Sequence, residues 1–294
     1  MKYVLFSFLL FTFYFSFSQS MEENYKIYDT RIKQIVTIDK IVSDCENADV
    51  LFFGEEHNDS ACHYLEAEVF KALYKQFGEK LALSLEMFET DNQLVLNEYL
   101  SGFINEDRFI KDVRLWSNYK DYRPMIEFAK ANHIPVIAAD PPRRYVNMVS
   151  RKGMRSLDSL SEEAKMFLPP LPYDTLSGHY RERFMEVMNG SPGGDNPNIY
   201  YSQNLWDAGM SYSIYKFLKK NKHKKVFHCV GGFHTSEKLG TAAQLQMRNK
   251  KLRILNIASV SDASFNSVDI QSWEKFNNLG DYVLITNPDL KKTF

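Results

Sequence analysis

Short apolar, β-branched runs recur along the chain and alternate with patterns of helical period. The runs cover residues 50–53, 81–85, 134–139, 226–230, 252–257 and 282–285. Between the first two, Leu65, Val69, Leu73 and Phe77 recur every four residues, which predicts a helix over Ser60–Phe77 with one apolar face. Residues 125–132 read as a helix leading into the third run. Residues 198–221 carry Leu205, Met210, Ile214 and Leu218 at helical spacing and lead into the fourth. Strands that are apolar throughout, rather than alternating, are buried on both faces. The expected architecture is α/β: a mostly parallel sheet flanked by helices, with right-handed crossovers.

Residues 88–122 and 156–197 are longer than a crossover needs. Both are polar and aromatic, with helix-like patches at Gln93–Leu100 and 180–188, and the second carries Pro169-Pro170 and Ser191-Pro192-Gly193-Gly194 as loop punctuation. They are expected to be helical insertions forming a lid over one edge of the sheet. At the start of the chain, Lys2 precedes an apolar run over 3–17, followed by the small residues Ser16 and Ser18. This is the layout of a secretory signal peptide over 1–18, and the run falls short of the roughly 20 residues that a spanning helix needs. The expectation is export and cleavage, leaving one α/β domain over 19–294. No cysteine stands at the cut, so a lipid anchor is not expected, and the product would be soluble and periplasmic or secreted.

Composition narrows the function. Lys+Arg 36 against Asp+Glu 37 gives a net charge of −1, which argues against a basic nucleic-acid footprint. With 44% hydrophobic and 25% charged residues, the chain is globular in composition rather than disordered. The three cysteines, Cys45, Cys62 and Cys229, allow one bridge at most and leave a thiol over.

In a parallel α/β sheet, ligands bind outside the carboxyl ends of the strands. Those ends are rich in ionisable groups here. The first run is followed by Gly54-Glu55-Glu56-His57, the second by Glu86, the third by Asp140-Pro141-Pro142-Arg143-Arg144, and the fourth by Gly231-Gly232-Phe233-His234. Two strands therefore end in the same G-x-x-H spacing. Glycine lets the chain turn off the strand and brings backbone close to a ligand; three residues on, an imidazole can point back over the sheet edge. Glu55, His57, Glu86 and His234 are the candidate acid–base set, and His57, Glu86 and His234 the candidate ligands of a divalent metal. Arg143 and Arg144 could hold an anionic group. Glu55, Glu56 or Asp59 could equally cap the helix near Ser60. His133 and His223 read as a helix-end and a solvated residue, His228 as core, and His63 and His179 are open.

VLFFGEEHND at 50–59, LSLEMF at 83–88, IPVIAADPPRR at 134–144, SQNLWDAGMSYSI at 202–214 and VGGFHTSEKLG at 230–240 together resemble the ChaN-like haem-binding uptake family. That family is similar in turn to a wider group of erythromycin-esterase-like and Tiki/TraB-type proteins, in which G-x-x-H motifs and a strand-end Glu are associated with hydrolysis. The matching residues are Glu55, His57, Glu86 and His234. The resemblance implies an exported haem- or iron-compound-binding protein of iron acquisition, a homodimer with haem between subunits, and an outer-membrane uptake receptor as partner. Tyr200 and Tyr201 are candidate axial ligands, with Arg143 or Arg144 pairing with propionates. The alternative is a hydrolase in which His57, His234, Glu55 and Glu86 activate a water directly or through a metal. A third reading makes the insertions a protein–protein surface.

Overall fold

The computed structural model describes residues 20–294 apart from 192–195 and 268. The signal-peptide expectation for 1–18 and most of the loop expected at 191–194 lie outside those residues. Eight strands form one sheet: β1 Tyr25–Asp29, β2 Gln34–Val36, β3 Val50–Glu55, β4 Leu81–Glu89, β5 Val136–Asp140, β6 Lys225–Gly231, β7 Ile254–Ser261 and β8 Tyr282–Thr286. The helices are α1 Ile38–Asp44, α2 Ser60–Phe77, α3 Gln93–Leu100, α4 Glu106–Asp112, α5 Tyr119–Ala131, α6 Arg143–Lys152, α7 Glu162–Lys165, α8 His179–Met188, α9 Pro197–Lys220 and α10 Gly240–Arg248.

All six expected runs are strands, and they lie parallel in the order β8-β7-β3-β6-β4-β5. The fold is the α/β architecture that the apolar runs require. β1 and β2 were not foreseen. They form a short antiparallel hairpin that extends the sheet at β8; β2 has only three residues, and β1, with Lys26 and Asp29 in it, offers no apolar run.

Alternate residues of the central strands feed two cores. Leu51 and Phe53 of β3, with Leu83 and Leu85 of β4, face Leu65, Val69 and Phe70 of α2 and Met125 and Ile126 of α5. Val50 and Phe52, with Ala82, face Met210 and Ile214 of α9 and Leu245 of α10. Burying one such side chain stabilises the fold by about 1.5–3 kcal/mol, and helices cover both faces of these strands. α2 begins where Asp59 caps it, its carboxylate accepting from the Ala61 and Cys62 amides at 2.9 and 3.1 Å. The free edge of β5 is closed by a side chain: the Gln93 amide donates to the Val136 carbonyl at 2.9 Å and accepts from the Ala138 amide at 2.8 Å.

Of the two insertions, the first supplies α3, α4 and the segment Arg114–Asn118. The second packs through α8 against α9, with Tyr180, Phe184 and Tyr200 in one cluster. All three cysteines are buried free thiols. Among the described residues, no helix is long and apolar enough to cross a membrane.

Candidate functional site

The register brings the strand ends side by side. Glu55 pairs with Gly231 across β3 and β6, and Leu85, next to Glu86, pairs with Cys229 across β4 and β6. Between Leu85 and Glu89 the register of β4 on β5 is irregular. Such bulges re-aim side chains near functional sites, and this one contains Glu86.

His57 stands at the rim. Its Nδ1 lies 2.6 Å from Glu55 Oε1, which also accepts from the Tyr122 hydroxyl at 2.6 Å. Its backbone carbonyl accepts from Asn118 Nδ2 at 3.2 Å and faces His63 Nε2 at 3.0 Å. Burial works against the imidazolium, but the Glu55 hydrogen bond and charge outweigh it, so the His57 pKa stands above its ordinary value. A Cβ on Gly231 would sit 2.7 Å from His57 Nε2. The glycine of the second G-x-x-H motif is therefore there for room beneath the first motif's imidazole. Neither Gly54 nor Gly231 adopts a positive φ, so close approach, and not a left-handed turn, is what both motifs use.

One layer further in, Glu86 Oε2 accepts from the Gly231 amide at 2.6 Å, and Glu86 Oε1 lies 3.7 Å from His234 Nε2. His234 Nδ1 lies 2.8 Å from Asp207 Oδ1, which also accepts from the Thr241 hydroxyl at 2.9 Å. The Tyr180 hydroxyl donates to the other Asp207 oxygen at 2.5 Å. Burial works against the His234 imidazolium too, but Asp207 raises its pKa. Asp140, 6% exposed, has an oxygen without a partner. Burial and the nearby Glu86 and Glu89 push its pKa well up, favouring the neutral acid.

A cavity of about 860 Å³ opens above His57, within the usual range of ligand sites. Its walls are His57, Leu115, Trp116, Phe294 and the three arginines Arg114, Arg143 and Arg144, with Glu89, Ser117 and Asn118. The Trp116 ring meets the His57 ring edge-on at 5.1 Å. Arg144 is paired with Asp91 at 2.5 Å, whereas among the described residues Arg143 has no ion-pair partner.

The residues expected from the sequence thus fall into three groups. His57, Arg143 and Arg144 line the cavity. Glu55, Glu86 and His234 lie in the layer below it. Tyr200 and Tyr201 are not among its walls. Tyr200 is buried, its hydroxyl donating to the Leu176 carbonyl at 2.7 Å, and Tyr201 is at the surface. His57, Glu86 and His234 do not each bring a ligand atom within 4.8 Å of the others; among the described residues the trio that does is Glu55, His63 and Glu66. The sequence reading missed Asp207, Tyr122, Trp116 and Asn118. A signal for Asp207 exists: Gln203, Asp207 and Ser211 recur every four residues, a polar stripe on the buried side of α9.

A second cavity, about 640 Å³, lies between α3, α5, α9 and the edge of β5. His133 is its one imidazole, and no carboxylate lines it, so it offers little chemistry.

A family profile described as haem-binding uptake, Tiki superfamily, ChaN matches residues 41–245. The chain belongs to this family. The match runs from within α1 into α10 and so contains both G-x-x-H turns and the carboxylates between them. The solved structure of ChaN of Campylobacter jejuni, described as showing cofacial heme binding, superposes with a TM-score of 0.67 at 16% identity, covering 90% of this chain and 97% of that one. A Bacillus cereus protein superposes with a TM-score of 0.51 at 13% identity, covering 91% of this chain and 95% of its own. Both likenesses are of fold. The RETICULATA-RELATED 5 protein of Arabidopsis thaliana, a chloroplastic protein, is 27% identical over 139 residues. The match covers 45% of this chain and 19% of that protein, so the chain spans under a fifth of this relative.

Proposed function

We propose that this chain is an exported haem-binding protein of iron acquisition, and that haem enters the cavity above His57. The observation that carries this reading is the lining of that cavity. It combines a flat apolar side (Leu115, Trp116, Phe294), guanidinium groups at the mouth, and one imidazole. A macrocycle with an apolar face and anionic propionates calls for those three features together. His57 Nδ1 faces the buried Glu55 carboxyl at 2.6 Å, which fixes the ring, and iron would take Nε2 in exchange for the proton that the raised pKa places there. Arg143 and Arg144 would take the propionates. Family membership and the fold shared with the Campylobacter protein support the same ligand. When bound, the iron would supply ligation to an imidazole and, in release, a labile bond. His57 replaces Tyr200 and Tyr201 as the favoured ligand, since the Tyr200 hydroxyl is already committed to a carbonyl. Export through the 1–18 segment, a homodimer and a receptor at the outer membrane belong to the same reading.

The test is a titration of the purified protein with haemin. A shifted Soret band saturating at about one haem per chain, lost in His57→Ala and weakened in Arg143→Ala, is the expected result. An unshifted band and unquenched tryptophan fluorescence at micromolar haemin would remove the proposal.

The Asp207–His234 pair favours a second reading, hydrolysis. An imidazole oriented by a buried aspartate and facing Glu86 is an arrangement suited to activating water. Turnover of an ester or peptide panel by the wild type, abolished in His234→Ala, would select it. No difference between the two proteins would exclude it.

A further inference from the structure

Next to His57, α2 packs against the end of β3. His63 and Glu66 stand three residues apart and so share one face of α2. Glu55 reaches the same point from β3. His63 Nδ1 is 3.1 Å from Glu66 Oε2 and 3.9 Å from Glu55 Oε2. One donor atom from each of the three lies within 4.8 Å of the other two. All are buried: Glu66 is 0%, Glu55 2% and His63 5% exposed.

Hydrogen bonding leaves this cluster incomplete. His63 Nε2 faces the His57 carbonyl at 3.0 Å, and a carbonyl only accepts, so Nε2 carries the proton. In the neutral ring, Nδ1 then directs a lone pair at carboxylate oxygens. Glu55 Oε2 and Glu66 Oε1 are buried and have no partner at all. His63 Nδ1 meets Glu66 Oε2 at 3.1 Å, whereas the two carboxylate oxygens Glu55 Oε2 and Glu66 Oε1 are left without a donor, and an acceptor buried unpaired is costly, the more so when charged.

The surroundings are those of a ligand set already held in place. A metal-bound imidazole characteristically donates its other N–H to a carbonyl or carboxylate, and ligating carboxylates are themselves hydrogen-bonded. His63 donates to the His57 carbonyl. Glu55 is held through Oε1 by Tyr122 and His57, which leaves Oε2 to face the cluster. We propose that Glu55, His63 and Glu66 form a buried site for a divalent first-row cation. One imidazole and two carboxylates suit zinc or manganese. Calcium, which takes six to eight oxygens, fits this set poorly. Such an ion would fix the Glu55 carboxylate and, through it, the ring of His57. None of its three ligands lines the cavity, but Glu55 also holds His57, so bound metal and Tm, and not haem binding, decide this proposal.

The rival occupant is a pair of protons, one shared by the two glutamates and one on the His63–Glu66 line, with Asp121 of α5 as the remaining nearby charge. The two are separable. The untagged full chain, grown with both metals supplied, is analysed for bound metal, then stripped with a chelator and titrated with Zn²⁺ and Mn²⁺ while its Tm is followed. Glu66→Gln is the key variant, because an amide can donate to Glu55 Oε2 and keep the fold without an ion. The expected result is about one tightly held ion per wild-type chain, a Tm that falls on stripping and returns on titration, and loss of both in Glu66→Gln. A wild-type chain that holds no ion and whose Tm ignores metal and chelator overturns the proposal in favour of protons. So does a Glu66→Gln protein that binds the ion as tightly as wild type. A haemin titration of the same samples reports on the cavity separately.

Discussion

At the scale of single residues, two positions show how burial decides behaviour. Gly231 lies under the His57 imidazole, where a Cβ would come within 2.7 Å of Nε2 and 2.8 Å of Cε1. His57 cannot simply swing aside without giving up Glu55. Gly231→Ala is therefore expected to cost about 1–3 kcal/mol in stability through overpacking, and to weaken haem about tenfold or more, roughly 1.4 kcal/mol. Thermal melts and a haemin titration check both; an alanine variant that binds haem like wild type would mean that His57 is not the anchoring ring. His228 is the second case. It is fully buried in β6, with Nδ1 on the Ser84 hydroxyl at 2.9 Å and Nε2 unpartnered. Burial drives its pKa down from 6.5 to about 3. The unfolded chain takes up a proton below pH 6.5 and the folded one does not. The stability from this residue is therefore complete above pH 6.5 and lost as the pH falls toward 3, at about 1.4 kcal/mol per unit. Between pH 7.5 and 5.0, wild type should lose about 2 kcal/mol more than His228→Asn in chemical unfolding; equal losses would contradict this.

At the scale of elements, the sequence was legible wherever one period dominated. The six parallel strands and α2 follow from apolar runs and a four-residue repeat. So does the convergence of strand ends, because parallel pairing delivers every carboxyl end to one side. The choice of Asp59 over Glu55 and Glu56 as the cap of α2 came only with the structure. What stayed hidden is polar residues facing inward from helices. Asp207 on α9 and Glu66 on α2 are fully buried, yet in sequence they look like the solvated positions of an amphipathic helix. Only the folded structure reveals what they touch: His234, Thr241 and Tyr180 for Asp207, and His63 for Glu66. The hairpin of β1 and β2 stayed hidden because β2 is three residues long and β1, Tyr25–Asp29, carries Lys26 and Asp29 in place of an apolar run. Gln93 shows a third kind of silence: an amide that completes the backbone hydrogen bonds of edge strand β5 leaves no periodic trace. Gln93→Ala removes both bonds and bares the edge. Each bond is worth about 0.5–1.5 kcal/mol, so a loss of about 1–3 kcal/mol is expected by denaturant titration, with more concentration-dependent light scattering as exposed strand edges meet. Unchanged stability would show that water replaces the amide at no cost.

At the scale of the whole molecule, charge is nearly balanced at −1, yet its distribution is not. Arg114, Arg143 and Arg144 gather at the mouth of one cavity, and the acids nearest them are divided unequally. Arg114 pairs with Glu89 at 2.8 Å and with Asp91, and Arg144 also pairs with Asp91. Arg143 has no such partner among the described residues. Arg143 is thus the cation whose field remains available to an incoming anion, while Arg144 already spends part of its charge on holding the start of α6 to the turn after β4. The two substitutions should separate. Arg143→Ala is expected to lower haem affinity more than Arg144→Ala and to leave the Tm near that of wild type. Arg144→Ala should lower the Tm slightly, since an exposed ion pair is worth about 0.2–1 kcal/mol. Because the interaction is between a guanidinium and a propionate near solvent, it is screened over a Debye length of about 10 Å at 0.1 M salt. Wild-type affinity should therefore fall as salt is raised from low to physiological strength, and Arg143→Ala should flatten that dependence. The dimethyl ester of haem, which lacks the propionate charges, should bind both proteins equally and without salt dependence. If the ester and the free acid respond alike to Arg143→Ala, the arginine contributes shape rather than charge, and the propionates point elsewhere.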